Sequence, residues 1–157
     1  MLRPLQALSW PAPLRVLVRA FSGATLRRIL EKSAAFSNSW ASLMVIHGGV
    51  NDASRGTDNF ADEFAKSCKA LRSCISSIHG GRSILLSTVC QTRLTDLNMR
   101  VGQANAQLRE VALTEGWGII SNDNIRITEL ADDVHLNAAG TAKLYRNILM
   151  SVKSSRQ

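Results

Sequence analysis

Three short stretches of this sequence carry side chains that could do chemistry. Asp132-Asp133-Val134-His135-Leu136-Asn137 places a histidine three residues after a carboxylate. Imidazole is the usual general base near neutral pH, and a carboxylate at that spacing on a loop can hydrogen-bond one ring nitrogen and fix the tautomer. The plainer alternative is a solvated acidic turn with an incidental histidine. Gly48-Gly49-Val50-Asn51-Asp52 places an amide beside two glycines. Glycine lets backbone approach a ligand, and an amide held there can meet a developing oxyanion. An ordinary Asn-Asp turn would look the same. In Phe21-Ser22-Gly23-Ala24-Thr25 the glycine N–H at a helix start could donate to an anion, although such turns are common. His47 and His79 fit none of these stations and read as structural or exposed.

The elements that must position these residues alternate. Leu14–Ala20 is short, β-branched and apolar, a strand pattern. Gly23 follows, then a helical stretch from Ala24 to about Phe36. Trp40–His47 reads as a buried strand ending at Gly48-Gly49, with a loop over Val50–Asn59. From Asn59 to Ile78 the apolar residues Phe60, Phe64, Cys68, Leu71 and Ile75 recur at 4, 4, 3 and 4, one buried helical stripe. Gly80-Gly81 breaks it. Ser83–Val89 is the next strand. A helix over Leu97–Glu115 carries Val101, Ala104, Leu108, Val111 and Ala112 on one side, and Gly116 ends it. Gly118–Ser121 is a short strand. Asn137 caps a last helix running to Val152, with Leu144, Ile148 and Val152 inward. This β-α-β-α order with continuous apolar strands implies an α/β fold: a parallel sheet covered by helices on both faces. Sites in such sheets form where strands end, which is where the three stretches fall.

Taken together and in this order, the stretches resemble the SGNH hydrolases, also called the GDSL esterase/lipase family. That family has a Ser in an opening Gly-Asp-Ser block, a Gly after the second strand, a Gly-x-Asn-Asp after the third, and an Asp-x-x-His before the last helix. Gly23 matches the second block, Gly49-Val50-Asn51-Asp52 the third and Asp132-Asp133-Val134-His135 the fourth. Leu136-Asn137 followed by Gly140 is similar to the family's continuation. The resemblance covers residues 14–152, leaving 1–13 as an atypical basic segment and 153–157 as a polar tail. It implies a three-layer α/β/α, flavodoxin-like parallel sheet. It also implies carboxylic ester or acyl hydrolysis, with His135 as base, Asp132 as its orienter, Asn51 and Gly23 as oxyanion donors, Asp52 and Asp133 as loop-shaping residues, and no cofactor or metal.

The family's nucleophile has no counterpart here. No Gly-Asp-Ser precedes Gly23, and a strand, a helix and a second strand need roughly thirty residues, whereas 22 stand before Gly23. Ser9 has no strand before it and Pro11 close after it. Ser22 adjoins the oxyanion glycine and would have to leave its place to attack. The expected sheet therefore has its first strand missing or replaced. Residues 1–12 could fill the place, a partner could supply the strand, or the chain could be a shortened product of a longer gene, which the proline- and arginine-rich start favours. The expectation is a truncated or impaired hydrolase. The second reading is a non-catalytic module of the same fold that binds RNA or protein.

Composition narrows the rest. The chain has 157 residues, one domain in length, with 45% hydrophobic and 20% charged residues, the balance of a globular protein. No apolar run approaches the ~18 residues of a membrane span. Cys68, Cys74 and Cys90 match no zinc spacing and read as reduced, partly buried thiols. The net charge is +7, of which Arg3, Arg15, Arg19, Arg27 and Arg28, with no acid in residues 1–30, account for +5. The remainder is nearly balanced, so nucleic acid is a weak candidate partner beside a small ester. Met1–Phe21 has the composition of a transit peptide, but Pro4, Pro11 and Pro13 would interrupt a targeting helix. The balance leans to an intracellular protein without mitochondrial import. Substrate and oligomeric state are not written in the sequence.

Overall fold

The computed structural model describes residues 18, 20–34, 42–78 and 83–155. Strands β1 (Leu43–His47), β2 (Ser83–Ser87) and β3 (Gly118–Ile120) form a parallel sheet in that order. Leu43 pairs with Ser83 and Leu85 with Gly118. The helices are α1 (Leu26–Ala34), α2 (Val50–Ser54), α3 (Phe60–Ile78), α4 (Thr95–Glu115) and α5 (Ala138–Ser155).

The period of two along the strands divides the core. Met44 and Ile46 of β1, Ile84 and Leu86 of β2 and Ile119 of β3 enter one apolar cluster with α1, α3 and α4. Leu43, Val45, Leu85 and Ile120 point the other way, onto Ile148 and Val152 of α5. Both faces are thus covered, as the expected α/β/α layering requires. The α3 stripe from Phe60 to Ile75 is buried throughout, as are the five inward residues named for α4. Each buried Val, Leu, Ile or Phe among them contributes about 1.5–3 kcal/mol by leaving water.

Several boundaries differ from expectation. Of the strand expected over Leu14–Ala20, only Val18 and Ala20 are described, and neither is in a strand; the remainder, with Ser9 and the basic start, lies outside the described residues, as do Trp40, His79 and Gly80-Gly81. β2 stops at Ser87 rather than Val89. Val50–Ser54, expected as loop, is a helical turn. Asn, Asp and Ser favour turns and caps over helix interiors, so tertiary contacts decide here. Ala53 is fully buried, and Arg100 Nε donates to its carbonyl at 2.6 Å. Gly49 enters that turn at φ 121°, where a side chain would be strained and its Cβ would lie 2.8 Å from a Val89 methyl. Among the described residues no helix is long and apolar enough to cross a membrane.

Candidate active site

Because the strands are parallel, the segments following β1, β2 and β3 emerge at one edge of the sheet. The first carries Asn51. Its Nδ2 donates to the Ala24 carbonyl at 3.0 Å, Asp52 Oδ2 accepts the Leu26 N–H at 2.8 Å, and Arg55 Nη2 donates to the Gly23 carbonyl at 2.9 Å. Asn51 and Gly23 are therefore brought together, with α2 stitched to the turn that opens α1. Asp52 shapes this junction by capping an orphan N–H at the start of α1. Burial raises its carboxyl above the usual range, and the Leu26 N–H acts against that rise.

The second segment, Thr88–Leu94, is held by two asparagines of α4. Asn105 Oδ1 accepts the Val89 N–H at 2.7 Å while its Nδ2 donates to the Val89 carbonyl at 3.0 Å. Asn98 Oδ1 accepts from Thr92 N at 2.6 Å, and its Nδ2 donates to the Thr92 carbonyl at 2.6 Å. Each amide takes the place of a neighbouring strand. An open cleft of about 360 Å³ lies between this segment and α2, lined by Ser54, Leu94, Thr95, Asp96, Leu97 and Arg100.

The third segment carries the histidine. Leu130 and Leu136 form an antiparallel bridge, with the Ala131 N–H on the His135 carbonyl at 2.7 Å. Inside this loop Asp132 Oδ1 accepts the N–H groups of Val134 and His135 at 2.9 and 2.7 Å. Its Oδ2 lies 2.8 Å from His135 Nδ1. The His135 and Val134 N–H groups, then the imidazole, hold the Asp132 carboxyl down at about 2. An ionised carboxylate only accepts, so the proton between the two sits on Nδ1 and leaves Nε2 outward. Val134 packs against the main core, while the His135 side chain is 76% exposed. The expected cap is present too: Asn137 Oδ1 accepts the Gly140 N–H at 3.0 Å. Glycine suits position 140, since a Cβ there would run into the Glu129 carbonyl oxygen.

Asp132 and His135 are thus paired, Asn51 is bonded to the residue after Gly23, and the stretch from Arg93 to Arg100 bonds the histidine loop at one end and α2 at the other. Pattern reading missed Arg55, Arg93 and Asn105, because each acts on backbone far away in sequence, and Asn98, whose bonds to Thr92 six residues before it follow no helical or strand period. His47 is exposed at the end of β1 with Nδ1 2.8 Å from Ser87 Oγ; Ser87 is buried and also receives Asn122 Nδ2 at 2.8 Å. Cys68 and Cys90 are free thiols. Among the described residues no group of three or more His, Cys, Asp or Glu could hold a metal ion.

A doubly covered parallel sheet with polar side chains gathered at its carboxyl edge defines an α/β/α protein of the doubly wound class. Residues 3–143 match the GDSL-like Lipase/Acylhydrolase family, and the chain belongs to it. No curated protein matches the sequence. Among solved structures, a GDSL-like lipase from Bacteroides thetaiotaomicron superposes with a TM-score of 0.74 at 17% identity, covering 87% of this chain and 75% of that one. The lipase/acylhydrolase from Enterococcus faecalis gives 0.69 at 20% identity, over 85% and 72%. A catalytic mutant of an acetylxylan esterase from Geobacillus stearothermophilus gives 0.67 at 21%, over 82% and 68%. These likenesses confirm the fold read from the sequence.

Proposed function

We propose that this chain carries the base and oxyanion parts of a serine-type ester hydrolase acting on carboxylic or acyl esters. The observation that supports it most is the Asp132–His135 pair, with Nδ1 held against the carboxylate and the imidazole largely exposed. In the reaction a serine Oγ adds to the ester carbonyl as its proton passes to Nε2 of His135. The second N–H of Asn51 and the backbone N–H of Gly23 receive the oxyanion. The alcohol then leaves with the proton from Nε2, and water repeats the sequence to free the acid.

No serine of this chain is assigned as nucleophile. Ser22 is exposed in the turn beside Gly23, one residue from the place where the oxyanion donor is needed. The chain as it stands is accordingly an impaired hydrolase. Its acceleration falls in the range left when a triad member is lost, on the order of 10³–10⁴ over water. Hydrolysis of a short-chain aryl ester tests this: weak turnover that falls on the order of 10²-fold in Asn51→Ala, which removes an oxyanion donor, supports the assignment, and turnover unaffected by that change overturns it.

A further inference from the structure

We propose that Arg93 is a positioning residue that fixes the orientation and tautomer of His135 from outside the loop that carries it. This rests on reading His135 as the base. Arg93 belongs to the segment after β2, which is immobilised at the two residues just before it. Asn98 grips Thr92 through both its backbone N–H and its carbonyl, and Gln91 Nε2 donates to the Ile125 carbonyl at 3.0 Å.

From this platform Arg93 reaches the histidine loop at three points. Its backbone N–H donates to the Asp133 carbonyl at 2.9 Å. Its Nη2 donates to the Leu130 carbonyl at 3.1 Å and to the Ile127 carbonyl at 3.4 Å. Leu130 opens the bridge that closes the loop, and Asp133 stands between Asp132 and His135, so the clip grips the loop on both sides of the carboxylate. The planar guanidinium suits two carbonyls at once, whereas an ammonium offers a point charge on a flexible stem. The Asp132–His135 pair is itself exposed, and an exposed pair gains little from its own attraction against the side-chain freedom it gives up. Its geometry therefore depends on how firmly the loop backbone is held.

The test reads the imidazole nitrogens of His135 by ¹⁵N NMR at neutral pH, with signals assigned by comparison with His135→Ala. The native chain shows mainly the Nδ1–H tautomer. Arg93→Ala lowers the ratio of Nδ1–H to Nε2–H by about tenfold, the equivalent of one charge-assisted hydrogen bond. Arg93→Lys lowers it less, and Arg109→Ala, which removes a charge paired with Asp123, leaves it unchanged. A folded Arg93→Ala chain with the native ratio overturns the proposal, as does an equal fall in Arg109→Ala. Should Arg93→Ala fail to fold, a native ratio in Arg93→Lys overturns it. A native chain already protonated on Nε2 overturns both the proposal and the reading beneath it, and an intact native tautomer unmoved by Arg93→Ala overturns the proposal alone.

Discussion

Two backbone N–H groups and an imidazole meet on the Asp132 carboxylate, and this sets how the site responds to acid. Its carboxyl falls from 3.8 to about 2 in the folded chain. A depressed carboxylate contributes stability above its unfolded value and loses it as pH falls through the folded one. The loop is therefore expected to loosen between about pH 4 and pH 2. Carboxyl ¹³C titration of Asp132 checks this, and a midpoint at the ordinary aspartate value would contradict it. The thiols supply a second residue-scale expectation. Burial pushes Cys68 up to about 12 and Cys90 up to about 11, so both stay protonated at neutral pH and react slowly with iodoacetamide. Rapid alkylation of Cys90 would reopen the question of the nucleophile. At this scale the sequence was informative where a motif is local: Asp132 and His135 are three residues apart, and their bond is made within one loop. Asn51 was found by a motif as well, yet its contact with Ala24 spans 27 residues and no spacing rule indicates it.

Among the elements, α4 does more than its apolar stripe suggests. Asn105 lies on the buried side beside Ala104 and Leu108, where a polar residue reads as a lapse in the pattern. In the fold it pairs both backbone groups of Val89, which have left the sheet. Asn105→Ala would orphan a buried donor and acceptor and cost about 2 kcal/mol or more, measurable as a lower denaturation midpoint with an unchanged m-value. Asn105→Leu, close in size, should fare no better, since volume is not what is lost. The missed α2 has the same origin. Val50–Ser54 has turn-like composition, and its helix depends on Arg100 and on a buried Ala53, neither visible from a window of a few residues. Long periodic stretches such as α3 were read to within a residue because their signal is the core itself.

For the whole molecule, the alternation along three strands distributes the helices between two faces, and this was legible from apolar runs and glycine breaks alone. The order β1-β2-β3 is that of the strands among the described residues. The family match carries ester chemistry as a class, and the low identities to solved structures support the fold and leave acyl preference to the loops. A large change on the main-core face should be felt throughout. Phe64→Ala, removing a ring stacked 5.5 Å from Phe60, is expected to cost about 3–5 kcal/mol and to lower one cooperative melting transition.

The contact of Gly140 with the Glu129 carbonyl ties the mobility of two regions together. Asn137 donates twice across the same seam, its N–H to the Glu129 carbonyl at 2.8 Å and its Nδ2 to the Thr128 carbonyl at 3.2 Å. With no room between helix and turn, neither can swing without the other. The amides of Ala131 and Asn137 should then exchange with deuterium at the rate of Thr141 in the first turn of α5, as a single opening unit. Any movement of the histidine loop would then be a tilt of the whole C-terminal helix rather than the flap of a lid.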